Sequence, residues 1–143
     1  MAKTPIHLWI VGIVSLLWNA GGAMDYVMTK TNAAEYLAQQ PAARLMLLEQ
    51  APVWFSGTWA VGVWFSIIGS ILLLLRSRFA ATAFALSLLG LIGSSVYNYG
   101  IAEGGSMVAA AGGAAIAFSV AIPLILLALW FYAKAMTKRG VLR

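Results

Sequence analysis

Three stretches of this chain, 53–75, 79–101 and 107–133, contain no charged residue, and a fourth, 6–28, carries one acid near its far end. Each is long enough to cross bilayer hydrocarbon, which takes about 20 residues at roughly 1.5 Å per residue. In lipid the backbone must satisfy its own N–H and C=O groups, and a helix does so within one segment. The expected fold is therefore all-α: a four-helix transmembrane bundle forming a single domain over 1–143, with a short amphipathic extracytoplasmic segment at 29–51.

Composition supports lipid as the solvent, since 62% of residues are hydrophobic and 9% charged, against roughly a quarter charged in soluble domains. The net charge of +5 arises from bases scattered singly or in pairs at segment ends, which is no footprint for nucleic acid. The absence of cysteine excludes disulfides, thiolate metal sites and Cys nucleophiles. His7 is the only histidine, so one chain cannot ligate haem through two histidines. No His/Glu set has metal-ligand spacing, and no serine has a partnered base. The sequence thus predicts no enzyme, no metal and no cofactor.

Pro5 suits the first turn of span one, whose apolar run is longer than the h-region of a signal peptide and reads as a retained helix. Asn32-Ala33-Ala34-Glu35 has capping-box form. The following stretch interleaves Tyr36, Leu37 and Leu45 with Glu35, Gln39, Gln40, Arg44 and Glu49. It reads as one or two surface helices broken near Pro41. Arg76-Ser77-Arg78 makes a tight turn between spans two and three, and Glu103-Gly104-Gly105-Ser106 the next. Lys134, Lys138, Arg139 and Arg143 read as a tail after span four.

Orientation follows from the bases. Lys3, Arg76, Arg78, Lys134, Lys138, Arg139 and Arg143, seven of the nine Lys and Arg, fall on one side. Lys30, Arg44 and all four acids fall on the other, so both termini are expected in the cytoplasm. Trp9, Trp130 and Tyr132 would form the inner aromatic belt, and Tyr26, Trp54, Tyr97 and Tyr99 the outer. Small residues recur every fourth position: Gly62, Ser66 and Ser70; Gly90, Ser94 and Asn98; Ala109, Gly113, Ala117 and Ala121. These are expected packing seams, within one chain or between copies. Pro123 lies mid-span and is expected to kink span four.

One polar region stands out. Asp25 is the only aspartate, and an acid so near hydrocarbon is costly. Helical spacing puts Trp18, Gly22 and Asp25 on one face and Asn19, Ala23 and Tyr26 on the next. Trp54 and Trp59 of span two, with Tyr97 and Asn98 of span three, fall at the same depth. Asn19, Asp25, Tyr26, Trp54, Trp59, Tyr97 and Asn98 are therefore the candidate ligand-binding residues of a cavity opening outward, with 29–51 as its lid. The structural alternative is that Asp25 bonds to Tyr97, Asn98 or loop amides and pins span one to span three, while Glu103 pairs with Lys30 or Arg44.

Trp18-Asn19-x-x-Gly22-x-x-Asp25-Tyr26, Pro52-x-Trp54, Trp59-Ala60-x-x-Val63-Trp64 and Gly69-Ser70-x-Leu72-Leu73-Leu74 resemble a family of small four-span proteobacterial membrane proteins, often labelled hypothetical or sugar transporter. The resemblance runs to about Asn98 and implies the inner membrane of a Gram-negative bacterium. It brings no catalytic or binding residues. Two functions are compatible with these features: a non-catalytic accessory or structural subunit that packs in a larger membrane complex or a homo-oligomer, and a small-molecule carrier or binding protein using the outer pocket. A lipid-organising role for 29–51 is a third.

Overall fold

A computed structural model of the chain describes residues 4–31, 34–39, 42, 45, 49, 51–97 and 113–143. Its regular structure, among these residues, is entirely helical: α1 (Ile6–Lys30), α2 (Ala34–Ala38), α3 (Val53–Leu74), α4 (Phe79–Ser95) and α5 (Gly113–Lys138). Among the described residues, three stretches are long and apolar enough to cross a bilayer: Ile6–Lys30, Val53–Leu74 and Val120–Lys138. The α4 helix is shorter, at 17 residues. Residues 98–112, which hold the end of the expected third span and the start of the fourth, lie outside the described residues, as do Asn98, Tyr99, Glu103, Arg44 and Pro41.

The outer surface is what lipid requires and water would not tolerate. Ile6 is 76% exposed, Leu17 70% and Leu89 64%; large apolar patches of this kind are rare on soluble monomers. Proline opens two of the long helices. Pro5 and Pro52 are extended N-caps, positions where the missing N–H has no intrahelical partner to lose.

Neighbouring helices run antiparallel. Along α1 and α3 the contacts step from Gly12 against Leu74, through Ser15 with Ser70 and Asn19 with Ser66, to Tyr26 beside Trp59. Gly69 then packs on Phe84, Gly62 on Gly90 and Thr58 on Gly93 between α3 and α4. Because α5 packs back along α4, the N-terminal end of α1, the turn at 75–78 and the C-terminal end of α5 share one end of the molecule. The main apolar core lies there, built from Leu8, Leu73, Phe84, Leu129 and Met136.

Two helix ends at that pole close in the same way. At α5, Gly140 takes a left-handed conformation (φ 78°), the Val141 N–H reaches the Met136 carbonyl at 2.9 Å, and the Gly140 N–H reaches Thr137 at 3.1 Å. At α3, Arg76 takes the left-handed position (φ 57°), with Ser77 N–H on Leu72 at 2.8 Å and Arg76 N–H on Leu73 at 3.1 Å. Both are Schellman closures. The chain after Gly140 then turns under the core: Val141 and Leu142 are buried. The Arg143 N–H donates to the Arg76 carbonyl at 2.9 Å, and the Arg78 N–H to the Arg143 carbonyl at 2.8 Å. These bonds hold the arginine turn in place although Arg76 lacks the freedom of glycine.

Two expectations are revised. Lys134 and Lys138 are helical, not a loose tail, because α5 runs on past Ala133 to Lys138. Cationic side chains favour the last turns of a helix, where the carbonyl end of the dipole is negative. The Gly62–Ser66–Ser70 stripe also divides, Gly62 meeting α4 while Ser66 and Ser70 meet α1. A helix turns about 100° per residue, so four-residue steps drift around its surface. On α5, Gly113 and Ala117 are exposed on the single chain.

Gly62 and Gly90 mark the closest approach. A Cβ on Gly90 would lie 2.4 Å from the Gly62 nitrogen and 2.6 Å from the Thr58 carbonyl oxygen. Backbone atoms cannot step aside, so the helices must separate. Gly90→Ala is expected to destabilise the protein by about 1–3 kcal/mol. Gly21→Ala, where a Cβ meets nothing within 4 Å, should be neutral or slightly stabilising, as alanine is the better helix former. Thermal unfolding followed by circular dichroism in mild detergent compares the two.

Candidate functional site

The polar side chains of α1 fall into two groups. The deeper one is buried between α1 and α3. Asn19 is 8% exposed, and its amide donates to the Ser66 carbonyl at 3.1 Å and to Ser70 Oγ at 3.0 Å. Ser70 Oγ is also 2.9 Å from Ser15 Oγ, which donates to the Gly12 carbonyl at 3.1 Å. A primary amide has two N–H donors, and Asn19 places both across the interface.

The second group lies at the other end of the same seam, around the C-terminal turns of α1. The Tyr36 hydroxyl of α2 donates to the Asp25 carboxylate, and the Lys30 ammonium donates to Ser56 Oγ of α3. Beside these, aromatic rings form a chain across α1, α3 and the residues that directly follow α4. Tyr26 meets Trp59 edge-on with centroids 4.9 Å apart and lies 6.1 Å from Trp64. Phe55 lies 5.9 Å from Trp59 and 4.6 Å from Tyr97. Trp54 meets the same tyrosine edge-on at 6.0 Å. Edge-to-face pairs at these separations are favourable beyond the area they bury.

The seven candidate residues are thus distributed unevenly. Tyr26, Trp54, Trp59 and Tyr97 belong to one aromatic cluster, with Asp25 on the neighbouring surface of α1. Asn19 lies about two helical turns deeper, in the serine seam. Asn98 falls outside the described residues. Asp25 is tied to α2, a partner the sequence did not suggest: the bond to Tyr36 fastens the short helix onto α1. His7, at the opposite end, shares a hydrogen bond with Tyr132.

Sequence reasoning did not foresee three participants. Phe55 joins the Trp59 and Tyr97 halves of the cluster, and its position inside an apolar run gave no hint of that. Tyr36 sits in the amphipathic stretch, where it looked like part of an apolar face. The serine seam is the third, and its spacing carried a signal. Ser15 and Asn19, four apart on α1, face Ser66 and Ser70, four apart on α3. Two such polar pairs on consecutive spans are a signature of an interhelical bond ladder.

Among the described residues no three of His, Cys, Asp or Glu converge to hold a metal. Compared with protein-family models, curated proteins and solved structures, the chain matches none.

Replacing Asn19 by leucine removes two donors from the seam while keeping its size. Interhelical hydrogen bonds in membranes contribute roughly 0.6 kcal/mol on average and up to about 1.7, so a loss of about 1 kcal/mol is expected. Ser70→Ala should cost less in the Asn19→Leu background than in the parent. Reversible denaturation of the two single variants and the double variant measures that coupling.

Proposed function

We propose that this chain is a small polytopic protein of a bacterial inner membrane that serves as a non-catalytic accessory or structural subunit. The observation that carries this reading is how the polar side chains are used. Asn19 spends both donors on Ser66 and Ser70, the Asp25 carboxylate takes the Tyr36 hydroxyl, and Lys30 reaches Ser56. Each joins one helix to another, so the groups that could have formed a reactive centre hold the protein together instead.

In this reading α4 supplies a fourth span. Its 17 residues reach about 25 Å at 1.5 Å per residue, and the chain stays helical through Tyr97. The end bearing Arg76, Arg78, Lys134, Lys138, Arg139 and Arg143 faces the cytoplasm under the positive-inside rule. The Trp18-Asn19 to Leu74 motifs support the same placement through their resemblance to small proteobacterial inner-membrane proteins.

The aromatic chain Tyr26–Trp59–Phe55–Tyr97–Trp54 favours a second reading, a small-molecule carrier or binding protein. Such rings beside a carboxylate suit a sugar face or a cationic group. One chain of this size leaves little room for two alternating gates, so a carrier would work as a dimer.

The two readings part at Asp25. As a structural group, Asp25→Asn should weaken the hold on α2, lower thermal stability and reduce recovery of any complex, while leaving solute flux unchanged. Native mass spectrometry of the protein extracted from its host in mild detergent reads assembly directly. Co-purification with larger membrane proteins at fixed ratio is the expected result. If D25N assembles normally yet abolishes binding or uptake of a solute, the accessory reading is wrong.

A further inference from the structure

The pole opposite Asp25 carries a cleft that none of the functions above uses. It lies between the first turn of α4 and the last turns of α5, with a volume of about 380 Å³, and is lined by Arg78, Ala81, Lys134, Ala135, Thr137 and Lys138. We propose that this cleft binds the phosphate of an anionic phospholipid headgroup, and that one acyl chain of that lipid runs along the seam between α4 and α5.

Charge is the first argument. Three cations from two helices share the cleft, and neither 76–81 nor 130–143 contains an acidic side chain. Lys134 and Lys138 stand four apart on one helical face, where like charges repel. A bound anion converts that repulsion into attraction. The first turn of α4 adds the positive end of its helix dipole.

Placement is the second. The Lys134 ammonium sits 4.6 Å from the centroid of Trp130, and the Arg78 guanidinium 5.3 Å from that of Phe79. Tryptophan settles at the headgroup level of a bilayer, so Trp130 holds Lys134, and with it the cleft, where lipid phosphates lie. Both cations retain N–H groups beyond the ring, and Arg78 presents a planar fork suited to phosphate.

The third argument separates a lipid from a free anion. Roughly 10 Å further along α4, the same seam opens into a groove of about 440 Å³ lined by Leu88, Leu91, Ile92, Val96, Pro123 and Leu127, with Ser95. A basic cleft and an apolar groove in line match a phosphate joined to a hydrocarbon chain. Basic pockets between transmembrane helices are a recurring form of headgroup recognition.

The test titrates phosphatidylglycerol, phosphatidylcholine and sodium phosphate separately into detergent-purified protein, reading thermal stability and native mass. Phosphatidylglycerol alone should give a saturable rise in Tm and a one-to-one adduct. Arg78→Gln with Lys138→Gln should need at least tenfold more of it for the same rise, while Arg139→Gln, outside the cleft, should stay within twofold. If the double variant does not survive extraction, Ala81→Trp fills the cleft without changing charge and should weaken the response equally. Equal stabilisation by phosphatidylcholine, an unchanged response in the cleft variants, or full stabilisation by sodium phosphate would each overturn the proposal.

Discussion

Between two helices in lipid there is little hydrophobic force, because the tails outside are as apolar as the side chains inside. What holds α1 to α3 must therefore come from close packing and from polar groups that have nowhere else to go. Asn19 is such a group. Its two N–H donors would be left bare in hydrocarbon if α1 moved away, and Ser66 and Ser70 receive them at 3.1 and 3.0 Å. The register set there carries the rest of the α1/α3 interface, from Leu74 on Gly12 at one end to Trp59 on Tyr26 at the other.

The α3/α4 interface uses the other available force. Gly62 and Gly90 let two backbones meet, and Ser87 adds a hydrogen bond to the Gly62 carbonyl. The two poles then differ in kind. The basic pole is a packed apolar core closed by the chain after Gly140, with two left-handed residues, Arg76 and Gly140, setting its turns. The Asp25 pole is aromatic and polar and is held by side chains reaching between elements. Charge separation along the sequence thus becomes a division of labour between the two ends.

Much of this was legible without coordinates. Uncharged runs marked the long helices, because length and apolarity alone decide whether a segment can cross a bilayer. The aromatic set Tyr26, Trp54, Trp59 and Tyr97 was visible as residues of equal depth on successive segments. Harder to read was which face of a helix meets which neighbour. Ser66 and Ser70 look like continuations of Gly62, yet the drift of four-residue spacing sends them to a different partner. Tyr36 was not foreseen as a partner of Asp25, because that bond depends on how α2 folds back, which local pattern does not encode. Lys134 and Lys138 were read as tail because charge was taken as the end of the span, but long basic side chains can extend a helix past the hydrocarbon while keeping their ends in water.

The most direct test of the Asn19-centred register is a cross-link beside it. The protein has no cysteine, so a Ser15→Cys, Ser70→Cys pair reports on one contact, where the two hydroxyl oxygens now lie 2.9 Å apart. Mild oxidation in native membranes should join this pair within a chain, scored by loss of thiol alkylation. Leu17→Cys with Ser70→Cys should stay reduced, since Leu17 is 70% exposed on another face. Failure of the first pair to close while the second closes would mean that α1 and α3 do not meet in this register.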